Sequence, residues 1–471
     1  MTEHANHETP AAAAPADASN DYSQAAFELA HNPYGSKPGS GVSMPPYYQP
    51  TPSVKNKTNY FPQSEPLGPD EMRIIFMGSQ PWPPRQSQAG TCIMVELGNG
   101  KRFFFDFGPG CLRNIIANQV PVPEINDIFI THLHLDHYAD IPYLWQFAPF
   151  NGRWKPLRII GPSGRTPELG TKSMAAHMEK MGLWTSVQAA GMPMADGYQI
   201  DVTEFDFQDD GGVCYDQDGV KVTHWRRSHA VDGASAYRLD WNGLSFVWTG
   251  DGKPDKLTAK YAEGVDVFVT EMAVDNVALW ALKQGVSPFI GAFTLDNFHT
   301  SHYAAGFLAN LIQPRLAMAT HLSYDRELVG EMIAGVRTHY EGMFAFGIDH
   351  TVVNVTKDKL WIREAALPET SNTARATPEW LLANQFDGQM PADVEVKNPF
   401  IANQEQSVRD LEFPPEVYTP ADQMRQWAHP LPPEFRLKTS MMVGGTPPQD
   451  AQKAADKPPE DQGKNNPGES A

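Results

Sequence analysis

The densest chemistry in the chain lies at Thr131-His132-Leu133-His134-Leu135-Asp136-His137, where four candidate metal ligands fall within six residues directly behind the apolar run Asp127-Ile128-Phe129-Ile130. Imidazole nitrogen combined with carboxylate oxygen suits zinc or another first-row divalent ion, and a loop this rich in donors could serve two. The plain alternative is a polar loop that happens to be rich in histidine. Residues further downstream weigh against it. His229 closes the segment that begins at Val220, Asp251 ends Val247-Trp248-Thr249-Gly250, and His321 ends the run from Arg315 to Thr320. Taken singly, each would read as structural: a lone histidine is usually a core or surface residue, and Gly-Asp is usually a turn.

The elements must therefore do the gathering. Strands that end on one edge of a sheet bring together residues far apart in sequence, as open α/β sheets do when they build a site. Ile74–Met77 and Cys92–Leu97 read as strands, Gly98–Gly100 as a turn, and Arg102–Phe107 as the antiparallel return. Ala236–Trp241 and Leu244–Trp248 flank Asn242-Gly243, the strongest two-residue hairpin signal, which sets the register that presents Asp251. Pro142 fits the first turn of a helix running through Trp145, and Ser301 fits the N-cap of a helix running through Leu311. A helix over Glu327–Tyr340 and closing strands at Thr351–Thr356 and Leu360–Arg363 come after these. Hairpins mixed with β-α crossovers predict an α/β fold with two facing sheets and helices outside.

With these residues in hand, the chain resembles the metallo-β-lactamase superfamily, whose pattern is HxHxDH followed by an isolated His, an Asp and a final His. The likeness runs from about Met72 to residue 366. Within the superfamily it resembles the ribonuclease Z and zinc arylsulfatase branch, through Phe298-His299-Thr300-Ser301, Thr320-His321 and Val269-Thr270-Glu271. It is also similar to the metallo-hydrolases assigned to guanitoxin-type biosynthetic pathways. The resemblance implies a four-layer αβ/βα sandwich. It also implies one metal on His132, His134 and His229, a second on Asp136, His137 and His321, and Asp251 bridging both. Zinc is the expected ion, with iron and manganese left open. The expected chemistry is attack by metal-bound hydroxide, which needs no side-chain nucleophile. His299, Glu271 and Asp136 are the candidate catalytic residues. His299 would donate a proton or stabilise charge, and Glu271 would orient it. Asp106 resembles a carboxylate that fixes a ligand histidine's tautomer. Otherwise His299 caps a helix, Glu271 is a surface partner and Asp106 merely turns the chain.

Composition sets limits. With 471 residues, of which 41% are hydrophobic, there is ample material for a large core, while 37 Lys+Arg against 56 Asp+Glu give a net charge of -19. So acidic a chain predicts that nucleic acid is an unfavoured partner. Cys92, Cys111 and Cys214 support no disulfide framework. Met1–Pro10 has no basic region with an apolar stretch behind it, and no segment approaches a membrane span, so a cytoplasmic protein without membrane attachment is expected. A homodimer is left open. Residues 1–69 read as a mostly disordered leader, 70–366 as the catalytic domain, 367–440 as a Pro-rich extension packed on it, and 441–471 as a disordered tail.

For the substrate, Gly108-Pro109-Gly110-Cys111-Leu112 stands where ribonuclease Z carries a GEGTQ-like run, and no basic tRNA-gripping arm is visible. Aromatic residues crowd the motifs: Trp82, Tyr138, Trp145, Phe147, Trp225 and Trp280 could wall a pocket, although each fits a core position as well. Arg226 and Arg227 could hold an anionic group, or simply form a solvated edge. The leading expectation is a dinuclear zinc hydrolase of a small-molecule ester, sulfate ester, lactone or similar electrophile. The alternatives are a ribonuclease Z-like phosphodiesterase acting on tRNA 3′ ends and a metal-binding protein without catalysis.

Overall fold

A computed structural model describes residues 58–62, 65–189, 196–274 and 285–367, together with 281, 407, 410 and 411. Nearly all of the expected leader, extension and tail, and Trp280, lie outside the described residues. Asn59–Tyr60, which the sequence reading places in the leader, pairs in parallel with the last strand of the fold.

The strands are β1 Asn59–Tyr60, β2 Met72–Gly78, β3 Cys92–Leu97, β4 Arg102–Phe105, β5 Asp127–Phe129, β6 Leu157–Pro162, β7 Ile200–Phe205, β8 Gly212–Gln217, β9 Val220–Arg226, β10 Ser235–Trp241, β11 Leu244–Trp248, β12 Val267–Glu271, β13 Leu316–Thr320, β14 Phe344–Phe346, β15 Thr351–Val355 and β16 Leu360–Ala365. They form two sheets, ordered β1-β16-β15-β2-β3-β4-β5-β6-β7 and β14-β13-β12-β11-β10-β9-β8. The helices are α1 Cys111–Ala117, α2 Ile141–Phe147, α3 Thr171–Met181, α4 Leu183–Gln188, α5 Lys256–Tyr261, α6 Pro288–Phe298, α7 His302–Ile312 and α8 Arg326–Arg337.

Because side chains alternate along a strand, a strand that is apolar throughout has two buried faces. In β2, Ile74 and Phe76 join β11's Phe246 and β13's Met318 in the core between the sheets. Ile75 and Met77 point the other way, onto α1 and α2 through Ile115 and Leu144. In the second sheet Val247, Phe268 and Ala317 face outward against Leu308 of α7 and Met332 of α8. Helix, sheet, sheet and helix make the expected α/β four-layer sandwich.

The Asn242-Gly243 hairpin forms as expected, with Trp241 opposite Leu244 and both turn residues at positive φ. Ser301 caps α7 by accepting the Ala304 N–H, and Pro142 sits in the first turn of α2. Two of the shifted boundaries have a visible cause. Strand β4 stops at Phe105, because Asp106 turns left-handed at φ 59, which ends pairing and aims its carboxylate sideways. Helix α8 ends at Arg337, beyond which Thr338 and His339 make tighter i→i−3 turns onto Gly335 and Val336. No helix among the described residues is long and apolar enough to cross a membrane.

Candidate metal centre

Strands β4, β5 and β6 run parallel, as do β11, β12 and β13. Their carboxyl ends share one edge of the sandwich. Asp106 follows β4, the His132–His137 loop follows β5, Asp251 follows β11, Glu271 ends β12 and His321 follows β13. His229 reaches in from the loop after β9, and His299 lies between α6 and α7. Backbone packing makes the convergence tight. A side chain on Gly108 would stand 2.0 Å from the Asp136 carbonyl, and one on Gly250, already at φ 58, would meet Thr131 at 2.7 Å. His321 itself is left-handed at φ 50, a conformation non-glycine residues seldom hold unless their surroundings enforce it.

The seven predicted ligands form two trios sharing one carboxylate. In the outer trio, His134 Nδ1 faces His132 Nε2 at 2.9 Å and His229 Nε2 at 3.2 Å, while Asp251 Oδ2 lies 3.9 Å from each of the latter two nitrogens. In the inner trio, His321 Nε2 is 3.3 Å and His137 Nε2 3.8 Å from Asp136 Oδ2; Asp251 reaches His137 Nε2 at 3.4 Å and His321 Nδ1 at 3.5 Å. Behind these, His137 Nδ1–H donates to Asp106 (2.9 Å) and His229 Nδ1–H to the Phe298 carbonyl (2.8 Å), which leaves each Nε2 lone pair aimed inward. Asp106 is itself fixed by the Thr131 N–H and hydroxyl and by the Trp248 indole N–H at 2.7 Å.

Charge is unevenly settled. Burial, and then the neighbouring His137, hold the His132 imidazole well below its ordinary range. Burial would depress His137 too, but Asp251, Asp106 and Asp136 together outweigh it and raise the group well above. Burial likewise opposes ionisation of Asp251, yet His321, His137 and His132 hold its carboxyl well below the usual range. His137 Nε2, Asp251 Oδ1 and His321 Nδ1 are buried without a hydrogen-bond partner among the described residues. Buried polar atoms are rarely left so, and lone pairs converging from imidazoles and carboxylates suit a cation better than a proton. The donor set therefore fits divalent metal, in the groupings His132/His134/His229/Asp251 and Asp136/His137/His321.

His299 Nδ1–H donates to Glu271 Oε2 at 2.7 Å, and Glu271 Oε1 accepts the Gly252 N–H at 2.6 Å. Burial lowers the His299 pKa, but Glu271, then Asp251 and Asp136, raise it to about 9. Thr300 donates to the Gly252 carbonyl, pinning the segment to the strand ends.

Other expectations resolve differently. Arg227 is buried against Asp255, Thr258 and the Gly252 carbonyl, and Arg226 pairs with Asp210, so both are spent on structure. Trp145 and Trp225 are core residues. Tyr138 and Phe147 do line a cleft of about 900 Å³ beside the outer trio. Its far wall comes from α3, which sequence reasoning missed: an amphipathic helix face reads as core. Thr131 and Trp248, the supports of Asp106, were also missed, having no signal beyond adjacency to the motifs.

The metallo-beta-lactamase superfamily model matches residues 87–219. A ribonuclease Z from Methanocaldococcus jannaschii is 38% identical over 291 residues, which cover 54% of this chain and 88% of that protein. The chain belongs to the metallo-β-lactamase superfamily. It is accordingly a hydrolase, and divalent metal is typical of the fold. A ribonuclease Z from Methanococcus maripaludis is 42% identical over 92 residues, 20% of this chain and 30% of that protein. Ribonuclease BN of Proteus mirabilis is 28% identical over 194 residues, covering 41% of this chain and 54% of that protein. These last two matches span about half of the relative's length or less. Among solved structures, the metallo-beta-lactamase fold protein YhfI of Bacillus subtilis is 18% identical over 61% of this chain and all of that one, with a TM-score of 0.47. The expectation that nucleic acid is an unfavoured partner is overturned by the ribonuclease relatives. A net charge sums the whole chain and does not report the field at one edge of it.

Proposed function

We propose that the protein is a zinc-dependent phosphodiesterase of the ribonuclease Z kind that cleaves RNA, the tRNA 3′ end being the substrate this resemblance implies. The observation that carries the reading is the 38% identity extending through 88% of a ribonuclease Z. The convergence of the histidine and carboxylate ligands supports it.

In this reading His132, His134 and His229 hold one ion, Asp136, His137 and His321 the other, and Asp251 reaches both. When bound, such a pair brings the pKa of water toward neutrality and offsets charge on the attacked phosphate. The protein's own groups do the rest. Asp106 fixes His137 in the tautomer that offers Nε2. His299, held charged by Glu271, donates its Nε2 proton to the departing oxygen, and the dyad recovers that proton from solvent. The Gly252 N–H, bonded to Oε1, keeps the Glu271 carboxylate aimed so that Oε2 meets His299.

The experiment is cleavage of a 3′-extended tRNA by protein of measured metal content, alongside aryl ester and aryl sulfate substrates on the same sample. Site-specific cleavage that is lost on chelation and restored by zinc is expected. One observation favours a second reading, a small ester, sulfate ester or lactone: the cleft beside the outer trio is walled mainly by apolar side chains. Turnover of aryl substrates with intact RNA would put that reading first. Tight metal without turnover of either would leave a binding protein.

A further inference from the structure

The cleft beside the outer trio has a composition that RNA backbone would avoid. Its described lining includes Glu168 and Asp232 but neither lysine nor arginine. Phosphate placed there would lose hydration and meet like charge on those two carboxylates. What the cleft does offer is flat and polarizable surface. Tyr143 and Phe147, one turn apart on α2, stand edge to face with ring centroids 5.3 Å apart. They are 60% and 47% exposed. Met174, Met178 and Met181 of α3 also line the cleft. His132, His134 and His229 also line it, so a ligand that fills it lies directly beside the outer trio.

We infer that this cleft seats an unpaired nucleobase next to the scissile phosphate, stacked on Tyr143 and Phe147 against the α3 methionines. The inference rests on the RNA reading above. The substrate is thereby divided by chemistry: the phosphate goes to the histidine and carboxylate cluster, and the neighbouring base goes to the apolar cleft. Base stacking on aromatic rings tolerates any base because each has a π-face, and it needs no cation. Gln146, Ser173 and His177 at the rim supply the polar groups that a base edge would meet.

The test uses the full-length zinc-loaded protein and a 3′-extended tRNA whose scissile linkage is a non-cleavable methylenephosphonate, with 2-aminopurine placed in turn on either side of it. Binding should quench the fluorophore at one of the two positions. Tyr143→Ala and Phe147→Ala should each abolish much of that quenching and weaken binding by about ten-fold, and Tyr143→Phe should restore it. Since both rings are about half exposed, truncation should leave the fold intact. The loss should be equal at about 50 and 200 mM salt, unlike the loss of a phosphate contact. RNA that binds without quenching at either position, or variants that bind and quench as the parent does, would overturn the base site while leaving the RNA reading standing. Failure to bind RNA at all would overturn both.

Discussion

The outer trio is three histidines and the inner trio is Asp136 with two, both share the Asp251 carboxylate, and different structures stand behind them. In the outer trio His134 is exposed and opens on the cleft, while His229 is anchored to the Phe298 carbonyl and His132 Nδ1 to the Thr131 hydroxyl. In the inner trio His137 is wholly buried, and its support Asp106 is held by groups from both sheets, Thr131 after β5 and Trp248 on β11. Ligands whose orientation is fixed in advance lose less freedom on binding a cation. The inner position should therefore fill first and empty last, and the outer one should be the adaptable, substrate-facing half.

The most severe way to erase the distinction is Asp251→Ala, since that carboxylate touches both trios. Metal stoichiometry by elemental analysis should fall toward zero, with activity at assay background. Retention of one full equivalent would show that the trios bind independently. His299→Ala should lower turnover by about 10²-fold while metal content stays normal. Comparable zinc loss in both variants would refute the separation of ligand from proton donor. Asp106→Asn sharpens the comparison: competition with a chelator should show roughly 10- to 100-fold weaker binding confined to the inner position. His134→Ala should do the converse, releasing only the outer ion. The smallest effect lies away from the metals. Burial lowers His224 and His350 to about 4 in the folded protein, from an ordinary 6.5. Between those values the unfolded chain binds more protons, so stability present above pH 6.5 is lost as pH falls toward 4. Melting temperatures across that interval should drop, and His224→Gln should flatten the curve.

The clustering of the candidate ligands was legible because their types are rare together and because most of them follow an apolar run that had to be a strand. Asp106 was half legible: its type and place hinted at support, but the left-handed turn and the indole of Trp248 come from packing across the sandwich. The cleft wall was not legible, since Met174, Met178 and Met181 lie some forty residues beyond the motif on a helix whose apolar stripe also feeds the core. Arg226 and Arg227 misled because adjacency in sequence to His229 says nothing about Asp210 and Asp255, which claim them. The partner was misjudged from a whole-chain sum.

The Trp248 indole spans the interface between the sheets to reach the carboxylate that steers His137. Sliding of one sheet against the other would thus be transmitted to an imidazole. Enlarging or trimming Phe105 or Phe246, packed against each other in that seam, should loosen the grip on cations before it melts the molecule, so metal retention becomes a gauge of how well the halves of the sandwich are keyed together.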